Sequence, residues 1–213
     1  YRSPVFVASN KEIAMTRETV ELEHLNTPPI IGRTPAAIGP HLPFQTVAGE
    51  RVPGFLPIGG QTLVRQTSST HGPDGYITTD AAEIARMLDR MKQKVEGAVE
   101  RFSFVEHVPA ENADTLILAY GVTARAAGAA ARMLARQGRP VSLLVLKTLW
   151  PVPEATIRRA AGDVKRVVVV EMNLGQYVHE IERVLPGRVV SFCGQMNGKL
   201  IAPETIAEAV THG

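Results

Sequence analysis

Polar side chains that could take part in chemistry follow three apolar runs of this sequence, at the point where each run ends. The runs are "TLILAY", "VSLLVL" and "RVVVV". The residues after them that could bind a ligand are Gly121, Thr123, Lys147, Trp150, Glu171, Asn173, Gly175 and Gln176. If the runs are parallel strands, their carboxyl ends meet at one sheet edge, where open α/β folds bind ligands. A helix that begins there, near Thr123 or Gln176, could hold an anion such as a phosphate.

A structural role competes with ligand binding for these residues. Asn173 and Gln176 could instead satisfy backbone groups at a tight turn, or form hydrogen bonds across an interface. Trp150, on a proline-rich turn, either anchors a contact with another domain or subunit or fills the core. Glu171 has no second carboxylate or histidine obviously beside it, so no acid–base role follows. We therefore expect a substrate rim or an interface here, and no catalytic residue.

The usual catalytic and cofactor motifs are missing from the sequence. Gly121 and Gly128 do not form the close pair of a G-x-G-x-x-G dinucleotide motif. There is no Walker A lysine, no G-x-S-x-G serine and no histidine pair at metal-ligand spacing, so we expect no metal site. The single cysteine, Cys193, cannot form an internal disulfide or hold an iron–sulfur cluster, and we expect it to be a small buried filler.

Composition narrows the class of protein. A net charge of +2 over 213 residues, with dispersed Lys and Arg, argues against nucleic-acid binding. No apolar run reaches the roughly 20 residues that cross a bilayer, and the use of cysteine suits a reducing, cytoplasmic location. The start "YRSPVFVASN" has no signal-peptide pattern and no initiator Met, so we expect a piece of something longer.

The first 109 residues read as three segments. Residues 1–23 contain an apolar strand, Pro4 to Ala8, expected to be the end of a preceding domain or a swapped arm. Residues 24–79 are dense in Pro and Gly and are expected to be an interdomain segment that lies against a neighbouring surface. Within it, His71 beside a Gly-Pro-Asp-Gly turn is a candidate contact residue or part of an ordinary turn.

Residues 80–109 are predicted to form a connecting helix. Asp80 is its N-cap and Glu83 stands at the third helical position. One apolar stripe is expected along it, made of Ile84, Met87, Leu88, Met91, Val95, Val99 and Phe102.

Residues 110–213 alternate between apolar strands and helices. Strands that are apolar throughout and are separated by helices indicate a parallel sheet covered on both faces. The predicted fold class is therefore α/β, with a doubly wound, mostly parallel sheet preceded by the Pro/Gly-rich segment.

The residues also resemble a known family. A Y-G turn, "LKTLWPVP" and above all "VVVVEMNLGQ" resemble, in order and spacing, the C-terminal domain of the alpha subunit of 2-oxoacid:ferredoxin oxidoreductases, especially the 2-oxoglutarate and branched-chain type. Upstream, "SPVFVASNKEIAMTRETVE" looks like the end of that family's pyrimidine-binding domain and "THGPDGYITTD" like its interdomain segment. The resemblance covers essentially the whole chain and implies a domain similar to the C-terminal domain of transketolase.

The resemblance implies a reaction and a set of companions. The family decarboxylates a 2-oxoacid oxidatively with coenzyme A and passes two electrons to ferredoxin. It uses thiamine diphosphate, magnesium and an iron–sulfur cluster, with a thiamine-binding beta subunit in a dimer of heterodimers. This chain lacks nearly all of the pyrimidine-binding domain and the cluster cysteines, so no catalytic residue is carried over and no cofactor is expected on this chain alone. Asn173, Gly175 and Gln176 are then expected to set domain packing.

Two other functions remain open on the sequence. One is a stand-alone domain that recognises a small anion at the strand ends for regulation, without catalysis. The other is a fragment of a pyruvate dehydrogenase-type beta subunit, which would share the fold. The "EMNLGQ" turn favours the ferredoxin family over the second alternative.

Overall fold

The computed structural model describes residues 1–24, 27, 29–36, 41–162 and 164–212. The chain divides into two compact units. The first is made of Tyr1–Phe6 and Glu18–Ala98, and the second of Val7–Arg17 and Val99–Gly213. No helix among the described residues is long and apolar enough to cross a membrane.

The elements of the described residues, in chain order, are seven α-helices, one short 3₁₀ helix at Leu22–His24 and five strands. The helices are α1 (Lys11–Met15), α2 (Ala81–Glu96), α3 (Val99–Phe102), α4 (Thr123–Arg136), α5 (Glu154–Ala161), α6 (Val178–Val184) and α7 (Pro203–His212). The strands are β1 (Val105–Val108), β2 (Thr115–Tyr120), β3 (Ser142–Leu146), β4 (Arg166–Glu171) and β5 (Val189–Gly194).

All five strands form one sheet in the second unit, in the order β1-β3-β2-β4-β5. Strands β2 to β5 run parallel, and β1 pairs antiparallel with β3 at one edge. In this register Leu118 lies beside Leu144 on one side and Val169 on the other. The predicted doubly wound, mostly parallel α/β fold is confirmed.

Helices cover both faces of this sheet. Because side chains alternate along a strand, Leu116 and Leu118 of β2 face one side and Ile117 and Ala119 face the other. The first pair belongs to a core closed by α5 and α6, and the second to a core closed by α4 and α7. Adjacent strands β2 and β4 therefore lead into helices on opposite faces, α4 and α6, which makes the gap between their carboxyl ends a topological switch point.

Strand β1 was missed by the sequence prediction. Its sequence "VEHV" is short and only half apolar, and three of its four residues are exposed. An edge strand is specified by pairing with its neighbour more than by its own pattern, so periodicity alone could not find it.

The strand predicted from Pro4 to Ala8 is wrong for the described structure. These residues belong to no strand, and Val5, Phe6 and Val7 are between 85% and 93% exposed. The apolar run lacks a partner strand among the described residues, and a strand without a hydrogen-bonded neighbour is not stable in water.

Helix α2 begins as predicted, with the Asp80 carboxylate accepting the Glu83 N–H at 2.7 Å. The helix ends at Glu96, before Gly97, so Val99 and Phe102 lie in α3 of the other unit and do not continue its stripe. None of the predicted stripe residues within α2 is fully buried, and Leu88 is 52% exposed. The described part of residues 24–79 contains no helix beyond His24 and no named strand; its role as an interdomain segment stays a prediction, as do the four segment boundaries.

Candidate functional site

The carboxylate of Glu171 is the centre of the polar cluster at the switch point. It is fully buried and accepts four hydrogen bonds. The Tyr120 hydroxyl donates at 2.7 Å and the Asn173 amide at 2.8 Å, while the backbone N–H groups of Tyr177 and Val178 donate at 2.9 and 2.8 Å. A buried carboxylate is tolerated only when its oxygens are satisfied in this way.

The sheet itself brings these groups together. Tyr120 ends β2 and Glu171 ends β4, and the two strands are neighbours with Ala119 beside Val170. Tyr177 and Val178 open helix α6, whose free N–H groups point at the same gap. Glu171 thus occupies the place where helix N–H groups at the edge of a parallel sheet usually bind a ligand. A further anion there would meet the negative charge of Glu171 and N–H groups that already donate to it.

Asn173 holds the turn after β4 from within. Its amide nitrogen donates to the Tyr120 hydroxyl at 2.8 Å as well as to Glu171, and its amide oxygen accepts the N–H groups of Gly175 at 2.8 Å and Gln176 at 3.3 Å. These are the backbone contacts expected from a structural role for Asn173. They also explain why α6 begins at Val178 and not at Gln176, as the sequence had suggested.

Gly175 has a backbone φ of +89°. A Cβ atom added there would lie 3.3 Å from the Val178 side chain, so both the conformation and the space favour glycine. The turn leaves the Gln176 side chain exposed and Leu174 75% exposed. The internal hydrogen bonds of the turn after β4 therefore hold an exposed apolar side chain, Leu174.

Both tyrosines of the cluster act as protonated donors. Burial, reinforced by the hydrogen bond to Glu171, raises the pKa of Tyr120 well above its ordinary value. Burial also raises the pKa of Tyr177, with further contributions from the negative charges of Glu180 and Glu171. Tyr177 was missed by sequence reasoning, although a tyrosine in the first turn of a helix at a strand end is the signal that could have found it. Its hydroxyl donates to the Leu149 carbonyl at 3.1 Å and so ties the turn after β3 to the start of α6.

Trp150 follows Leu149 in that turn and is 78% exposed. Its alternative role as core filler is wrong, because most of its indole lies outside the packed interior. Lys147, at the end of β3, forms an exposed ion pair with Glu106 at 3.5 Å, which solvent screens strongly. The turn after β3 thus exposes both the large apolar side chain of Trp150 and the solvated charge of Lys147.

Thr123 and Gly121 close the turn after β2. The buried Thr123 hydroxyl lies 2.7 Å from the Tyr120 carbonyl and 3.2 Å from the Val170 carbonyl, so it links the ends of β2 and β4. Gly121 has a φ of +59° and packs against the side chain of Asn10, whose oxygen accepts the Val122 N–H at 3.0 Å. Both residues hold the backbone, and neither the Thr123 hydroxyl nor the Val122 N–H is left without a partner.

His71 belongs to the first unit. Its ring centroid lies 4.1 Å from that of Phe44, with the two ring planes tilted by 44°, and its Nδ1 lies 2.9 Å from the Gly72 carbonyl. The Gly72 carbonyl also accepts the N–H of Gly75 at 3.0 Å, which closes the predicted turn.

The described residues do not supply the ligands of the iron–sulfur cluster that the resemblance implies for the whole enzyme. They contain no group of three or more His, Cys, Asp or Glu side chains that could hold a metal ion. Cys193 is buried, as predicted, and burial raises the pKa of its thiol. One cysteine cannot supply the ligands of an iron–sulfur cluster.

Comparison with known proteins gives the family context of this geometry. Residues 113–206, which span the sheet from β2 onward, match the family described as pyruvate:ferredoxin oxidoreductase core domain II. The chain is 29% identical over 214 residues to the 2-oxoglutarate synthase subunit KorA of Methanothermobacter thermautotrophicus, covering 99% of this chain and 56% of that protein. The chain is thus similar to a core domain of pyruvate:ferredoxin oxidoreductase and to a subunit of 2-oxoglutarate synthase.

A second relative and one solved structure are also similar to this chain. The 2-oxoglutarate synthase subunit KorA of Archaeoglobus fulgidus is 37% identical over 149 residues, which covers 68% of this chain and 40% of that protein. The 2-oxoglutarate:ferredoxin oxidoreductase from Magnetococcus marinus superposes with a TM-score of 0.76 at 23% identity, over 85% of this chain and 32% of that chain, and shows the same fold. The chain spans about half the length of the first relative it matches, 56%.

Proposed function

We propose that this chain is the assembly and active-site-closing part of the alpha subunit of a 2-oxoglutarate:ferredoxin oxidoreductase. The complete enzyme would convert 2-oxoglutarate and coenzyme A to succinyl-CoA and carbon dioxide, passing two electrons to ferredoxin. Thiamine diphosphate, magnesium and an iron–sulfur cluster would be held by a thiamine-binding beta subunit and other polypeptide. A dimer of heterodimers in the cytoplasm is the assembly that we expect.

One observation supports the structural role: groups of this chain itself satisfy the hydrogen bonds of the Glu171 carboxylate, in the polar corner at the end of β4. All four donors around Glu171 come from this chain, so the corner needs no ligand to be complete. A stand-alone anion-binding module would instead leave N–H groups free at this point. The corner works as a rigid support and not as a pocket, which favours the assembly role over the anion-binding alternative.

The apolar side chains on this support favour a docking role. Trp150 and Leu174 are 78% and 75% exposed, and they stand on the turns after β3 and β4. The hydrogen bond from Tyr177 to Leu149 links these two turns at the same sheet edge. Large apolar side chains held on rigid backbone are typical anchors of protein interfaces, because little conformational entropy is lost when they are covered.

Variants of the docking residues test the proposal in the assembled enzyme. Trp150→Ala and Leu174→Ala are each expected to weaken co-purification with a tagged beta subunit and to lower turnover of 2-oxoglutarate in proportion to the lost complex. Gln176→Ala tests the exposed polar residue of the same turn. Val189→Ala is a matched control, since Val189 is 62% exposed but stands at the opposite end of the parallel strands. Unchanged assembly and turnover in the Trp150 and Leu174 variants would rule out this docking role.

A further inference from the structure

In the described part of the first unit, four cationic side chains donate hydrogen bonds to backbone carbonyls. Arg2 donates to the carbonyls of Pro43 at 3.4 Å, Pro53 at 3.1 Å and Gly54 at 3.0 Å. Its guanidinium also lies 5.9 Å from the centroid of the Phe44 ring. The Arg51 side chain donates to the Gln93 carbonyl at 3.3 Å, and the Arg90 side chain donates to the Arg51 carbonyl at 3.1 Å. The Lys94 side chain donates to the Arg2 carbonyl at 3.5 Å. Within the described part of the chain, none of the four side chains forms an ion pair. We call Arg2, Arg51, Arg90 and Lys94 the arginine–lysine cluster.

These charges repel one another in a partly desolvated place. Lys94 is only 8% exposed, although its ammonium has a single long hydrogen bond. Burial lowers the pKa of Lys94, and the charges of Arg90 and Arg2 lower it further. Burial and Arg2 lower the pKa of Arg90 in the same way. Like charges that share a site destabilise it unless a negative group offsets them.

A cleft of about 600 Å³ lies beside this cluster, in the same unit. This volume is within the range of small-molecule sites, roughly 300–1,000 Å³. Helix α2 supplies Arg86, Arg90 and Gln93 to its lining, and the neighbouring rings of Phe44 and His71 also line it. The cleft is therefore large enough for a ligand with both a charged and a flat apolar part.

Carboxylates of the described residues also line the cleft, but none of them is paired directly with one of its arginines. Glu50, Glu83 and Asp89 are the acidic residues of the lining. Asp89 accepts a hydrogen bond from the Gln93 amide at 2.6 Å. None of the three forms an ion pair with Arg51, Arg86 or Arg90 among the described residues. The guanidinium donors that the backbone does not use remain available to an oxyanion.

We propose that this cleft binds a phosphate-bearing small molecule, with Arg51, Arg86 and Arg90 contacting the phosphate oxygens and the Phe44–His71 pair contacting the rest of the ligand. A phosphate fits better than a single carboxylate because it offers more acceptor oxygens to the donors of several arginines. The proposal does not depend on the assembly role, since every residue in it belongs to the first unit.

Binding to the full chain, measured by isothermal titration calorimetry, tests this site. Inorganic pyrophosphate and adenosine diphosphate are the two probes, and malonate is the carboxylate comparison. Saturable pyrophosphate binding that weakens with added salt is expected. Tighter binding of adenosine diphosphate would assign the aromatic wall to a nucleotide base, whereas equal binding would assign the site to free phosphate groups.

Two variants connect binding to the arginines. Arg86→Gln changes an exposed side chain with little risk to folding, and Arg90→Lys keeps the charge but removes the guanidinium fork. Each is expected to weaken pyrophosphate about tenfold, close to the loss of one charged hydrogen bond. Arg136→Gln changes an exposed residue in the last turn of α4, in the other unit, and is the matched control.

Three results would overturn the proposal. The first is that neither phosphate probe binds saturably up to about 10 mM, a concentration at which a useful small-molecule site would be occupied. The second is unchanged affinity for pyrophosphate in both cleft variants. The third is that malonate binds as tightly as pyrophosphate. Loss of assembly in the Trp150 variant would not bear on it, so the two proposals fail separately.

Discussion

The hydroxyl of Tyr120 lies 2.7 Å from the carboxylate of Glu171, although 51 residues separate them in the chain. The contact joins the ends of two neighbouring parallel strands and closes the polar cluster at the switch point. It converts a position that open α/β sheets commonly use for ligands into an internal support. The stability of this support can be tested one group at a time.

Removing the Tyr120 hydroxyl tests the contact most directly. Tyr120→Phe leaves the buried Glu171 with one donor fewer, and we expect a loss of about 1.5–3 kcal/mol in the free energy of unfolding. Urea unfolding followed by circular dichroism measures it. Tyr76→Phe is the control, because Tyr76 is 49% exposed in the other unit. Equal unfolding midpoints for the two variants would show that the hydrogen bond adds nothing.

Glu171→Gln replaces one acceptor oxygen by an NH₂ group inside a ring of donors. The backbone N–H groups of Tyr177 and Val178 accept no hydrogen bond, so at least one of the four contacts is lost whichever way the amide turns. We expect a loss of roughly 2–3 kcal/mol, from the unsatisfied buried group. Glu204→Gln, at the start of α7, provides an exposed carboxylate for comparison. If both variants had the same unfolding midpoint, the buried network would not be the source of stability.

Gly175→Ala tests the conformation of the turn. Its φ of +89° disfavours any Cβ, and the added atom would lie 3.3 Å from Val178. We expect a cost of about 1–2 kcal/mol in thermal or urea unfolding. Gly32→Ala is matched to it, because Gly32 has no atom within 4 Å of the new Cβ and its φ is not positive. A larger loss at Gly32 than at Gly175 would contradict the argument from backbone strain.

Alkaline pH should weaken the fold through the two buried phenols. The pKa values of Tyr120 and Tyr177 are raised in the folded state, so unfolded chains lose these protons first, at about pH 10. Stability from these groups is therefore fully present below about pH 10 and is lost as pH rises beyond it. Urea midpoints at several pH values measure the fall. Tyr177→Phe should make it shallower, and an identical slope in wild type and variant would exclude this origin.

Elements of both units could be predicted from local sequence. The run "RVVVV" begins at Arg166, where β4 begins, and Asp80 begins α2 with the predicted hydrogen bond to Glu83. Both signals act over a few neighbouring residues, through apolar strand composition and a side chain that caps its own helix. Strands that depend on pairing with a distant segment could not be predicted in this way. The strand expected at Pro4 to Ala8 is absent, and β1 was missed.

The candidate site divides in the same way. The sequence pointed to Glu171, Asn173 and Gly175 as polar or flexible residues at a strand end, but left open whether they bind a ligand or hold a turn. The choice depends on Tyr120 and Tyr177, which reach Glu171 only after β2 lies beside β4 and α6 folds back. The burial of Lys94 in the first unit could not be predicted either, because Lys94 is not part of the apolar stripe predicted for α2.

By itself, the order of apolar and polar residues determined the α/β class, the central strands and the turns that follow them, because these depend on contacts between near neighbours. Only the tertiary structure decided that the carboxylate of Glu171 turns inward while Trp150 and Leu174 remain exposed. The physical reason is that a buried charge is tolerated only where several donors converge, and those donors come from chain segments that the sequence keeps far apart.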